Sequence, residues 1–170
     1  MIHLLTGGVR AGKSRLALER AEASCVGELV FVATGEPGDA EMGDRIRRHQ
    51  AERGPRYRTV EAPRDPAAAL DDPRAAGFVV DCLTLWVSNL VCDPTLGEPE
   101  IVLARARLVA RLKAEPRPVV VVTNEVGLGI IPMDPLTRRY QDHLGRLNQE
   151  VAAVADRVDL VVSGLPIRLR

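Results

Sequence analysis

The stretch Gly7-Gly8-Val9-Arg10-Ala11-Gly12-Lys13-Ser14 constrains this 170-residue chain more than any other. It fits the spacing G-x-x-x-x-G-K-[ST]. In that pattern glycines let backbone N–H groups curl around phosphate oxygens, a lysine reaches the outer phosphates, and a hydroxyl ligates magnesium. So short a match takes its meaning from its flanks. Ile2-His3-Leu4-Leu5-Thr6 reads as a buried strand, and Ser14 to Ala23 carries Leu16, Ala17, Arg20 and Ala21 at helical spacing. The loop therefore joins a strand to a helix whose N-terminus points at the bound anion. Lys13 and Lys113 are the only lysines among 23 strong bases, so a chain that otherwise uses arginine keeps a lysine here. A glycine-rich turn that binds nothing is the competing reading, and the strand-to-helix context counts against it.

A 46% hydrophobic content in 170 residues supports one domain, residues 1–170, with its own core. Basic and acidic residues balance at 23 each, so no global field draws in nucleic acid or an anionic membrane, and a phosphate ligand must be held locally. Aromatic residues (Phe31, Phe78, Tyr57, Tyr140, Trp86) make up 3%, too few for a base-stacking platform. Cys25, Cys82 and Cys92 form neither a C-x-x-C pair nor an even set, and are expected as reduced, mostly buried thiols. The start lacks a basic region followed by a long apolar one, and no stretch approaches about 18 uncharged apolar residues. A soluble, cytoplasmic protein without membrane insertion is expected.

Further along, Leu29-Val30-Phe31-Val32-Ala33 is a second apolar run ending in Thr34-Gly35, a parallel strand opening into a loop. Asp39 is placed to cap a helix running to about Arg53, where Gly54-Pro55 stops it. On that helix Met42, Ile46, His49 and Arg53 share a face, with Arg45, Arg47 and Arg48 around it. A lone histidine there is ordinarily a packed core or rim residue, whereas clustered guanidinium groups suit a phosphorylated partner. Tyr57 to Ala62 reads as a strand containing Glu61, Pro66 to Leu70 as a short turn or helix, and Gly77-Phe78-Val79-Val80-Asp81 as an apolar run ending in a carboxylate. An aspartate at that position can hold magnesium opposite the Ser14 hydroxyl. Leu83 to Val91 and Pro99 to Ala114 read as helices. Pro118-Val119-Val120-Val121-Val122-Thr123 is the strongest buried-strand signal, and it opens into Asn124-Glu125-Val126-Gly127. Glu125 stays open between a second metal carboxylate, a substrate carboxylate and a loop-stabilising acid. Asp134 to Ala155 reads as a long helix, Val158 to Ser163 as a core strand, and Ile167-Arg168-Leu169 as a short edge strand. Alternating strands and helices predict an α/β fold: a mainly parallel sheet flanked by helices, P-loop NTPase-like, with room for an antiparallel edge strand at the C-terminus. Ligands of such sheets bind at the carboxyl edge, where Gly7 to Ser14, Thr34, Asp81 and Glu125 collect.

The loop, Ala33-Thr34-Gly35, the helix with Arg45-Ile46 and His49, Asp81-Cys82-Leu83-Thr84, the block from Thr123-Asn124-Glu125-Val126-Gly127 to Pro132, and the ending Val161-Val162-Ser163-Gly164-Leu165-Pro166 together resemble the bifunctional adenosylcobinamide kinase / adenosylcobinamide-phosphate guanylyltransferase family. The likeness spans the chain in order. It implies two reactions of cobalamin biosynthesis. ATP or GTP phosphorylates the aminopropanol hydroxyl of adenosylcobinamide; GTP then gives GMP to adenosylcobinamide phosphate, releasing pyrophosphate and forming adenosylcobinamide-GDP. In the family the guanylyl group travels on a histidine, which His49 matches. By the same carry-over, Gly7 to Ser14, including Lys13, and Ala33, Thr34 and Gly35 contact nucleotide. Gln50, Ala51, Glu52 and Arg53 lie beside the guanylylated histidine, and Glu61 and Asp81 complete the site. Mg2+ accompanies the nucleotide, and members assemble as homotrimers.

One departure is visible: Ala11 stands where the family's loop usually has serine, a small change for a loop that works through backbone N–H groups. Two other readings stand beside this one. The first is a monofunctional P-loop kinase in which His49 is structural. The second is a GTP-dependent switch or metallochaperone, disfavoured because neither lysine lies in an Asn-Lys-x-Asp motif.

Overall fold

The computed structural model describes residues 1–36 and 53–170. The expected helix from Asp39, with His49, Gln50, Ala51 and Glu52, lies outside the described residues; of its span only Arg53 is inside. In chain order the elements are β1 (Ile2–Gly7), α1 (Lys13–Ser24), β2 (Leu29–Ala33), β3 (Tyr57–Glu61), α2 (Pro66–Ala69), β4 (Gly77–Asp81), α3 (Leu83–Val91), α4 (Glu98–Ala114), β5 (Val119–Val122), α5 (Pro135–Val154), β6 (Arg157–Val162) and β7 (Leu165–Arg168).

The strands form one seven-stranded sheet in the order β3-β2-β4-β5-β1-β6-β7. Every pair is parallel except β6 with β7, which is antiparallel. The apolar runs explain this, because a strand buried on both faces has no need of polar alternation. Along β2 and β4, Val30, Val32, Phe78 and Val80 enter one core layer while Phe31 and Val79 enter the other. Helix α1 covers the second layer with Ala17 and Ala21, whose small side chains bring it close to the sheet. Trp86, Leu108 and Leu144, from α3, α4 and α5, cover the first. The C-terminal edge strand begins at Leu165, two residues before the expected Ile167, and all four of its residues are exposed. Cys92 is also exposed, against the expectation of mostly buried thiols, because it ends α3 on the outside of the bundle; all three cysteines are free.

At the amino ends of the central strands β4 and β5, Glu115 fastens α4 to the sheet. Its carboxylate accepts from Arg117 Nε at 2.5 Å and from Arg111 Nη2 at 2.6 Å. Arg117 goes on to donate to the carbonyls of Leu70, Asp72 and Ala75 and lies over the Phe78 ring. Burial alone would raise the Glu115 pKa, but the bonds from Arg117 and Arg111 outweigh it and hold it at about 2. A carboxyl group lowered on folding stabilises the fold above its unfolded pKa and loses that contribution as pH falls through the folded value. Urea unfolding of wild type and Glu115→Gln should therefore differ in slope between pH 4.5 and about 2, the wild type losing of order 3 kcal/mol more across that window. Parallel curves would show that the cluster carries no linkage.

Candidate active site

The carboxyl edge gathers the polar residues because parallel strands end together there. Register aligns Glu61, Ala33, Asp81, Val122 and Leu5 in one row across β3, β2, β4, β5 and β1. Ala33, Glu61 and Asp81 thus lie side by side, with Thr34 and Gly35 directly beyond. One strand, β5, separates the Asp81 strand from the Gly7 loop.

The loop leaves β1 at Gly7, whose φ is +146°. A Cβ there would stand 2.3 Å from the Val161 carbonyl oxygen, so no other residue fits. Gly12, at φ +95°, caps α1 without a side chain. The N-terminus of α1 therefore opens directly onto the loop, the helix end at which anions are favoured. The back of the loop rests on the β6–β7 turn, where Gly164 N–H donates to Ala11 O at 2.9 Å. Lys13 is buried, and its ammonium donates to the carbonyls of Gly7 at 3.1 Å and Gly8 at 2.6 Å. Gly8, Val9 and Arg10 form the exposed crest of the loop.

Beside the loop, Thr34 is fully buried and organises the tips of β2 and β4. Its N–H donates to Asp81 O at 3.2 Å, and its hydroxyl accepts from Cys82 N–H at 2.8 Å, which engages both polar groups of the cis peptide between Asp81 and Cys82. Asn89 on α3 reaches the Thr34 carbonyl at 2.7 Å. Desolvation, with Asp81 adding to it, pushes the Cys82 thiol up to about 11, so it stays protonated near neutral pH. Arg53 stacks on the Phe31 ring at 3.4 Å and donates to Thr59 Oγ1 at 2.6 Å. Burial lowers its pKa while the Asp81 charge opposes the shift, and its buried Nε has no hydrogen-bond partner among the described residues. Arg53 thus brings positive charge toward the Asp81 side of the site.

Glu125 is held more tightly than its loop position implies. Its Oε1 accepts from Thr6 Oγ1 at 3.0 Å and from Asn148 Nδ2 at 3.3 Å. Asn148 is oriented in turn by accepting from Thr123 Oγ1 at 2.7 Å and donating to Asn124 O at 3.0 Å. The Asn124 N–H donates to Thr84 Oγ1 at 3.0 Å. Thr6, Thr84, Asn89 and Asn148 were not among the expected site residues. For Asn148 a signal existed: it is a polar residue on the apolar stripe of α5, next to Leu144, Leu147 and Val151, and such a residue must find partners.

Fitness for magnesium rests on the donors present. Ser14 lies in the first turn of α1 and Asp81 ends β4, and both carry hard oxygen donors. No group of three or more His, Cys, Asp or Glu able to hold a metal occurs among the described residues. Magnesium is ordinarily held by one or two protein oxygens plus phosphates, so the donor set fits an ion brought in with the nucleotide. A separate cleft of ≈ 260 Å³ lies along α5 between Arg138, Arg139, Asp142 and Arg146, with Glu98 at its rim. Its floor is structural: His143 Nδ1 accepts from buried Arg105 at 3.0 Å, because a guanidinium only donates, and Nε2–H donates to Glu98 at 2.7 Å.

A strand-loop-helix phosphate cradle at the carboxyl edge of a mostly parallel sheet defines an α/β protein of the P-loop NTPase-like class. The flagellar accessory protein FlaH from Methanocaldococcus jannaschii shares the fold at a TM-score of 0.50 and 10% identity, over 99% of this chain and 77% of that one. An ATPase from the type III secretion system of pathogenic bacteria does so at 0.53 and 13%, over 98% and 56%. The family model described as cobinamide kinase / cobinamide phosphate guanyltransferase matches residues 3–169, and the chain belongs to that family. It is similar to the bifunctional adenosylcobalamin biosynthesis protein CobP of Pseudomonas aeruginosa, 42% identical over 100% of this chain and 98% of the relative. It is also similar to the bifunctional adenosylcobalamin biosynthesis protein CobU of Salmonella typhimurium, 37% identical over 100% of both chains.

Lys13→Ala should weaken triphosphate binding about 10- to 100-fold, the worth of a charged hydrogen-bonding group. Titration with a fluorescent GTP analogue measures this, and unchanged binding would remove Lys13 from the phosphate site.

Proposed function

We propose that the Gly7–Ser14 loop serves two successive reactions: phosphorylation of the adenosylcobinamide hydroxyl by ATP or GTP, then transfer of GMP from GTP to adenosylcobinamide phosphate. The observation that carries this reading is the loop itself, braced by β6–β7 and flanked by Asp81 and Glu125, in a chain of this family. Backbone N–H groups of the loop hold the phosphates, and Lys13 offsets their charge. Ser14 and Asp81 would hold Mg2+, which when bound supplies charge neutralisation at the phosphate oxygens. Ala33, Thr34, Gly35, Glu61 and Asp81 flank the nucleotide.

In the second reaction the His49 imidazole attacks the α-phosphorus of GTP and pyrophosphate leaves. A phosphate oxygen of adenosylcobinamide phosphate then takes the guanylyl group and frees the imidazole. Gln50, Ala51, Glu52 and Arg53 accompany His49, and the positive charge of Arg53 supports anionic groups there. The protein works in the cytoplasm, and no helix among the described residues is long and apolar enough to cross a membrane.

Assembly as a homotrimer is part of the same reading, supported by the exposed apolar residues Leu165, Ile167 and Leu169 on the C-terminal edge. Light scattering should give three times the 18.5 kDa chain mass; a monomer would overturn the assembly.

Wild-type protein incubated with adenosylcobinamide and GTP should convert the corrinoid first to its phosphate and then to adenosylcobinamide-GDP, read by mass. With GTP labelled at the α-phosphate, label should remain on denatured wild-type protein and be absent from His49→Ala. Guanylyl transfer that survives His49→Ala would leave the kinase reading and remove the histidine intermediate.

A further inference from the structure

We infer that Glu125 is the general base of the phosphorylation step, taking the proton from the acceptor hydroxyl, and that Thr6 and Asn148 are its positioning residues. The inference rests on the kinase half of the function proposed above and names the group that activates the alcohol.

The Glu125 backbone meets the loop where the Lys13 head docks. The Gly7 carbonyl oxygen accepts both from the Glu125 N–H at 3.3 Å and from the Lys13 ammonium at 3.1 Å. Glu125 and the lysine head that meets the outer phosphates therefore converge on one atom. The strand order β4-β5-β1 sets Glu125 between Asp81 and the loop.

The carboxylate is also divided in its duties. Oε1 takes both bonds, from Thr6 and Asn148, while Oε2 has no hydrogen-bond partner among the described residues and Glu125 is half-exposed. A purely loop-stabilising acid would be expected to use both oxygens inward. Here one is anchored by a chain running Thr123 to Asn148 to Glu125, and the other is presented outward. That arrangement is what a base needs: a fixed direction and an open lone pair.

In the step itself the O–H bond of the acceptor breaks and its proton passes to Glu125 Oε2. The acceptor oxygen forms the new bond to the γ-phosphorus, and the bond from that phosphorus to the nucleoside diphosphate breaks, its electron pair leaving with the diphosphate. The proton then returns to solvent.

The test measures adenosylcobinamide phosphorylation, wild type first. Absence of wild-type turnover fails both the proposed function and this assignment, whereas the variants below test the assignment alone. Glu125→Gln keeps the acceptor for Thr6 and Asn148 but cannot take a proton, so kcat should fall about 10²- to 10⁴-fold with both KM values held within about threefold. Thr6→Val deletes the anchoring hydroxyl with little change in shape. It should lower kcat about tenfold at constant KM, and Thr6→Ser should restore it. This pair decides the matter if Glu125→Gln does not fold. A Glu125→Gln enzyme retaining more than about a third of kcat overturns the assignment. So does one whose nucleotide binding needs about tenfold more Mg2+, the mark of a metal ligand. Equal losses in Thr6→Val and Thr6→Ser would overturn the positioning role.

Discussion

The Gly7 carbonyl ties the phosphate loop to the sheet and to the chemistry around it. Lys13 and the Glu125 N–H both donate to this oxygen, while the α-carbon of the same residue passes so close to Val161 that a side chain is impossible. Three strands are thereby locked where the loop departs: β1 carries it, β5 delivers Glu125, and β6 supplies the wall behind. Loosening that point would misplace the lysine and the carboxylate together.

Rigidity spreads outward from there through buried polar bonds. Thr34 and Asn89 fix the tips of β2 and β4, and Thr123, Asn148 and Thr6 fix the tip of β5. Each of these side chains is satisfied, which low-dielectric surroundings demand, since an unpaired buried donor or acceptor costs about 1–3 kcal/mol. The loop can therefore act as a preformed cradle, with phosphate-binding groups already oriented before charge develops.

Two kinds of arginine serve the fold differently. Arg117 donates to internal carbonyls and to Glu115 beside the sheet, and Arg105 joins α4 to α5 through His143 and Glu150, both at a distance from the loop. Arg53 instead stacks on Phe31 within the field of Asp81, so its charge lies toward the site. Composition alone treats them as one class.

Much of the fold was legible in the chain itself. Leu29–Ala33, Gly77–Asp81 and Leu83–Val91 have the boundaries expected from apolar runs and turn residues, because period and punctuation are local properties. The Gly7–Ser14 loop, Asp81 and Glu125 were likewise readable, as residue types at strand ends. The sequence could not order the strands, and that order decides which strand ends are neighbours. Only the tertiary structure set β5 between β4 and β1, drew Asn148 across from a helix to Glu125, and exposed Cys92. Contacts of this kind join residues up to about a hundred and fifty positions apart, and no local period encodes them. The sequence by itself determined which loop joins the first strand to the first helix with phosphate-binding spacing; the sheet's topology decided which carboxylates lie beside it, because strand order is set by long-range pairing.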